Sequence, residues 1–157
     1  MIFITLGTQD KQFYRLLKIV DNAVEKGIVK EEVIAQIGNT KFSSKNIKTY
    51  KFMSDKRLNQ YFDDADLIVT HGGVGIITDS LKKKKKIFAV PRLKLYKEHV
   101  NDHQVQLVDK FDSLNYVKKI ETYEDFVREY KKIDKFKPDF PKFNNDKICK
   151  IITDFIG

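Results

Sequence analysis

Apolar residues follow two alternating patterns along this chain, short nearly uninterrupted runs and longer stretches where they return every three or four positions. The runs Met1–Leu6, Val33–Ile37, Leu67–Val69, Ile87–Val90 and Tyr116–Lys118 predict buried strands, and Ile47–Phe52 alternates well enough to be another. The helical spacing of Phe13, Leu16, Leu17, Val20 and Val24 predicts a helix closed by Gly27. Leu58, Tyr61 and Phe62 predict a second, capped by Ser54 or Asp55, and Ile76, Ile77 and Leu81 a third. Further helices are expected at about Val100–Lys110 and at Tyr123–Lys132. Strand and helix alternating at these lengths mean a parallel α/β sheet flanked by helices, with right-handed crossovers. We read residues 1–157 as one domain, with 134–157 a wrapping loop followed by a last helix, Asp146–Ile156. Ligands of such sheets bind beyond the carboxyl ends of the strands, where Gly7-Thr8, Gly38-Asn39, His71–Gly75 and Pro91–Gln104 converge.

Composition adds a core and a charge. Among 157 residues, 41% are apolar and 12% aromatic, enough for a packed interior. Thirty Lys and Arg against 22 Asp and Glu leave a net charge of +8, which favours anionic partners without choosing among them. The run Lys82–Lys86 reads either as a solvated helix end or as a dock for anionic lipid. No nucleic-acid partner is expected, since no aromatic residue interleaves with the lysines. The single cysteine, Cys149, is expected in the core of the last helix and fits a reducing compartment. With no leader pattern and no membrane-length apolar run, a cytoplasmic location is expected.

The stretch from Asp66 to Asp79, D-L-I-V-T-H-G-G-V-G-I-I-T-D, concentrates the chemistry: a strand, a loop with three glycines, then a helix. Such a junction aims unpaired helix N–H groups and the positive end of the helix dipole at the loop, so a phosphate is the natural guest. All three histidines, His71, His99 and His103, lie between positions 71 and 103. His99 and His103 are four apart and could chelate a metal with Glu98 or Asp102.

The ordered motifs T-H-G-G-V-G-I-I-T-D, K-I-F-A-V-P-R and E-H-V-N-D-H-Q resemble the C-terminal half of glycosyltransferase family 28. With the opening M-I-F-I-T-L-G-T, the chain is also similar to small bacterial capsule and exopolysaccharide subunits related to the catalytic subunit of the two-part dolichol-linked GlcNAc transferase; the resemblance covers about Met1 to Lys110. It implies a Rossmann-like domain, equivalent to the donor-binding half of a GT-B fold, that binds a UDP-sugar without a metal or other cofactor. It implies also a membrane-anchored partner that presents a lipid-linked, undecaprenyl-type acceptor and holds the chain at the inner face of the membrane. Carried over by position, Gly7, Thr8, His71, Gly72, Gly73 and Gly75 meet the diphosphate, Asp79 the ribose, Phe52 and Met53 the uracil, and His103 and Gln104 the sugar. Phe52 and Met53 read equally well as core residues.

This chain departs from the family pattern in having Gln9-Asp10 where related subunits carry His-Glu, and Asp79 where glutamate is usual. Asp10, Glu98 and His99 are the candidates for catalysis, Glu98 reading also as a sugar contact or a solvated carboxylate. The expected activity is inverting sugar transfer in capsule or exopolysaccharide synthesis, with the leaving diphosphate stabilised electrostatically. No general base is evident, and the partner can supply one. Arg92, Leu95 and Tyr96 are the candidates for docking that partner. The rival reading is a non-catalytic nucleotide-binding or scaffold subunit.

Overall fold

The computed structural model describes residues 1–143, 149–151, 153 and 154. Six parallel strands, β1 (Ile2–Thr5), β2 (Val33–Gln36), β3 (Lys48–Tyr50), β4 (Leu67–His71), β5 (Lys86–Val90) and β6 (Lys118–Lys119), form one sheet in the order β3-β2-β1-β4-β5-β6. The order reverses between β1 and β4, and the loops leaving these two neighbours part there to opposite faces of the sheet. The connecting helices are α1 (Tyr14–Glu25), α2 (Asp55–Asp64), α3 (Val74–Lys82), α4 (His103–Ser113) and α5 (Tyr123–Lys131), with short 3-10 turns at Lys94–Tyr96 and Ile133–Lys135.

The uninterrupted apolar runs are explained by burial on both faces. Ile2, Ile4, Leu67, Val69 and Phe88 pack with Leu16, Leu17, Val20 and Phe126 from α1 and α5. Their chain neighbours Phe3, Ile68, Ile87 and Ala89 face the other way, against Phe62, Ile77, Leu107 and Phe111 from α2, α3 and α4. Ser54 caps α2, its hydroxyl accepting from the Arg57 N–H at 3.3 Å, which settles the choice between Ser54 and Asp55.

Several expectations need correction. β4 runs on through His71, which pairs with Val90 of β5, so the histidine closes a strand and is not part of the glycine loop. The helix expected from Val100 begins at His103 because Asn101 Oδ1 accepts the His103 N–H at 3.0 Å and Asp102 Oδ1 the Lys94 N–H at 2.9 Å, turning the chain before the helix starts. The lysine run is engaged internally. Lys83 pairs with Asp63 at 2.6 Å, and Lys85 donates to the carbonyls of Asp63 and Ala65 at 2.6 and 2.9 Å. Lys86 donates to Ile133 O at 2.7 Å, while Lys82 and Lys84 lie over the rings of Phe143 and Phe140. Cys149 is exposed, and Ile151 supplies the buried contact of its segment. Of the expected last helix, residues 149–151, 153 and 154 are helical, and the rest lie outside the described residues. Among the described residues no helix is long and apolar enough to cross a membrane.

Candidate functional site

Beyond the reversal point, the N-terminal ends of α3 and α4 enclose a cleft of about 200 Å³, lined by Gly72, Gly73, Val74, His99, Asn101, His103, Gln104 and Leu107. Gly73 occupies the cap position of α3 and no side chain caps that end. The first backbone N–H groups of the helix are therefore without a side-chain acceptor, as an anion site requires.

The imidazole of His71 explains why glycine surrounds it. A Cβ on Gly73 would lie 2.2 Å from His71 Cε1, and one on Gly7, whose φ is +77°, would lie 2.6 Å from His71 Nε2. Gly75 differs, since a Cβ there would meet nothing within 4 Å and would project into open space beside the helix end. His71 is only 8% exposed. Burial, and then the positive charge of Arg92, lower its pKa to about 4, so the imidazole is neutral at neutral pH. It can offer an anion a hydrogen bond but no charge.

Gln104 stands behind His71. Its Oε1 accepts the N–H of Gly72 and the N–H of Arg92, both at 3.0 Å, and its Nε2 lies 3.2 Å from His71 Nδ1. Expected as a sugar contact, Gln104 is instead buried, with both ends of its amide engaged inside the protein. His103, at the start of α4, remains exposed on the cleft, and partly buried His99 faces it with its pKa lowered by burial and by Arg92.

Arg92 was expected on a docking surface and is the clearest correction. It is 1% exposed, with its guanidinium donating to Leu6 O at 2.8 Å, Lys11 O at 3.1 Å and Glu98 O at 3.0 Å, and its flat face over Phe13. An arginine fork can satisfy several carbonyls at once, which is how one side chain ties the loop after β1 to the loop after β5. Glu98 is likewise unavailable as a solvated base. It is buried, paired with Arg15 at 2.9 Å, and accepts the Leu93 N–H at 3.0 Å. Arg15 donates in addition to Pro91 O and Glu121 O, both at 2.8 Å, and lies against the Tyr96 ring. Leu95 and Tyr96 stay exposed, at 81% and 56%.

The other expected residues are spread around this edge. Asp10 and Thr8 are exposed on the loop after β1. Phe52 is exposed, with its ring 3.7 Å from where a Gly38 Cβ would be, whereas Met53 is partly buried and its N–H donates to Gln36 Oε1 at 2.9 Å. Asp79 does not line the cleft. It lies one helical turn beyond Gly75 on the exposed face of α3, in a groove shared with Leu58, Asn59 and Ile76. The sequence reading gave no role to Asn101 or Arg15: Asn101 fell inside the helix expected from Val100, and Arg15 gave no signal beyond a charge within an amphipathic helix. Among the described residues no group of three or more His, Cys, Asp or Glu side chains is placed to hold a metal ion.

The fold recurs in known proteins. A UDP-N-acetylglucosamine transferase subunit, ALG13, from Candida albicans is 30% identical over 87 residues, covering 52% of this chain and 28% of its own length. The chain thus spans less than a third of that curated relative. The solution structure of an ALG13 superposes with a TM-score of 0.57 at 19% identity, over 90% of this chain and 89% of that one. The MurG structure from Acinetobacter baumannii gives 0.62 at 18% identity, over 85% of this chain and 40% of that one. At these identities the superpositions establish the fold alone, a GT-B-like Rossmann-type domain. The model of the glycosyltransferase family 28 C-terminal domain matches residues 1–153, nearly the whole sequence, and the chain belongs to that family.

Proposed function

We propose that this chain is the donor-binding subunit of a two-part inverting glycosyltransferase, holding the diphosphate of a UDP-sugar at the start of α3. The observation that carries this reading is the uncapped first turn of α3, with open space at Gly75 and the neutral imidazole of His71 behind it. Fixed N–H donors in such a place stabilise charge that develops on a leaving diphosphate without having to reorganise. In the reaction, an acceptor hydroxyl forms a bond to the anomeric carbon as the bond from that carbon to the diphosphate oxygen breaks, and the hydroxyl proton passes to a base. In this reading His103 and His99, which line the cleft, meet the sugar, while Asp79 and exposed Phe52, which lie outside the cleft, are reached by the ribose and the uracil as the donor extends beyond it.

The partner is a membrane-anchored subunit that presents a lipid-linked acceptor in capsule or exopolysaccharide synthesis and keeps this chain at the inner membrane face. Family resemblance and the subunit designation of ALG13 support this assignment. With Arg92 withdrawn into the interior, the docking surface reduces to Leu95 and Tyr96, joined by Val100, which is 65% exposed.

One observation favours a second reading, a non-catalytic nucleotide-binding or scaffold subunit. Glu98, the carboxylate beside the histidines, is held in an ion pair and leaves the cleft without a free carboxylate base from its own wall. Transfer assays on membranes containing the partner separate the two. Under the first reading, adding the chain restores transfer and His71→Ala does not, while the purified chain alone transfers nothing. Restoration by His71→Ala as well as by the unmodified chain would favour the scaffold reading. Serine at both Leu95 and Tyr96 should abolish co-purification with the partner while UDP binding survives.

A further inference from the structure

We propose that Gln104 is a positioning residue that fixes His71 in a single tautomer, with the proton on Nε2, and that it is not a contact for the donor sugar. The argument begins with two backbone groups that can only donate. The N–H of Gly72 and the N–H of Arg92 both point at one amide atom of Gln104, at 3.0 Å, so that atom must be the oxygen. The other end of the amide is then the NH₂ group, which lies 3.2 Å from His71 Nδ1 and can only donate to it. A nitrogen that accepts a hydrogen bond in a neutral imidazole carries no proton, so the proton of His71 resides on Nε2.

That nitrogen is the one turned toward Gly7: a Cβ on Gly7 would lie 2.6 Å from Nε2, whereas one on Gly73 would lie 3.0 Å from both ring nitrogens. No hydrogen bond from Nε2 is present among the described residues. The edge of His71 that faces the glycine loops is therefore a donor and selects an acceptor atom, as a phosphate oxygen is. Burial and the neighbouring Arg92 charge keep the ring neutral, so the tautomer decides what it can bind. The same amide oxygen joins the ends of β4 and β5 through Gly72 and Arg92, coupling the loop that carries the glycines to the loop that carries His99 and Asn101. A side chain with both amide ends engaged, on a residue 7% exposed, has little left to offer a sugar hydroxyl.

The tautomer belongs to the free protein and does not depend on the proposed function; only its consequence for phosphate binding rests on that reading. Two variants distinguish them. In Gln104→Glu the carboxylate still accepts from Gly72 and Arg92, preserving the join, but it cannot donate to Nδ1 and must accept from it. Nitrogen-15 NMR of the imidazole should show the unmodified protein with Nδ1 unprotonated and Nε2 protonated, and Gln104→Glu with Nδ1 protonated. A protonated Nδ1 in the unmodified protein, or an unchanged pattern in Gln104→Glu, would overturn the proposal. Gln104→Met removes both the donor to His71 and the acceptor for Gly72 and Arg92, and UDP and UDP-sugar should then weaken by the same factor, roughly tenfold, while uridine is unaffected. A loss confined to the UDP-sugar would make Gln104 a sugar contact and overturn the proposal. Absence of UDP binding by the unmodified protein would defeat the donor-binding function and leave the NMR result standing.

Discussion

The two ends of α3 carry the two conspicuous clusters of this sequence, and they behave in opposite ways. At its C-terminal end five consecutive lysines look like a binding surface, yet each is engaged by a carboxylate, a carbonyl or an aromatic ring of the same chain. At its N-terminal end the buried His71 is neutral, yet backbone N–H groups remain without side-chain acceptors beside an open cleft. On the proposed function, capacity to bind follows from unmatched groups held rigidly in place. The number of charges does not predict it.

The largest expected effect breaks the wall of the N-terminal side. Glu98→Ala leaves Arg15 and the buried Arg92 without their carboxylate neighbour, and stability should fall by about 3 kcal/mol in urea unfolding. A loss below about 1 kcal/mol would mean that the ion pair does not hold this loop. His71 gives a comparable effect through pH. Its folded pKa is about 4 against an ordinary 6.5, so between those values the unfolded chain binds a proton that the folded chain does not. Its contribution is complete above pH 6.5 and is lost as pH falls toward 4, by up to about 3 kcal/mol. His71→Gln should flatten the pH dependence of stability across that window, measured as the difference between the two proteins.

Two glycines sharpen the comparison further. Gly73→Ala drives a methyl group into the His71 ring and should cost about 1–3 kcal/mol of stability in thermal unfolding. Gly75→Ala meets open space in the first turn of α3 and should stabilise the fold by no more than about 0.5 kcal/mol while weakening UDP, because the methyl projects beside the proposed phosphate position. Equal affinities for UDP in Gly75→Ala and the unmodified protein would move the diphosphate elsewhere. The smallest effect belongs to the other end of the helix. Serine at both Lys82 and Lys84 should change stability by under about 1 kcal/mol and leave UDP affinity unaltered.

Periodicity located most of the strands and helices, because burial on both sheet faces leaves uninterrupted runs such as Leu67–Val69, and amphipathic helices return to the same face. The exceptions are β6, expected buried at Tyr116–Lys118 and found as half-buried Lys118–Lys119, and α4, expected from Val100 and found from His103. The order of motifs likewise marked the edge on which Gly7, His71–Gly75 and His103 converge. What remained hidden was the partner of each polar group. Arg92 follows a proline in a basic, turn-rich stretch and reads as surface, and only the fold brings the carbonyls of Leu6, Lys11 and Glu98 to its guanidinium. Glu98 reads as a free carboxylate until Arg15, distant in sequence, arrives beside it. Gln104 is similar, since its engagement depends on two strand ends meeting at one amide. Local pattern reports which face a residue occupies, and long-range pairing decides whether its chemistry is still available.

The account rests on a diphosphate held at the start of α3 by neutral donors. Calorimetric titration of UDP and of uridine into the unmodified protein and into His71→Ala tests this most directly. The account predicts that UDP weakens by tenfold or more in the variant, consistent with loss of a hydrogen bond to a charged group, while uridine binding is nearly unchanged. Equal losses for UDP and uridine, or no loss for UDP, would contradict it.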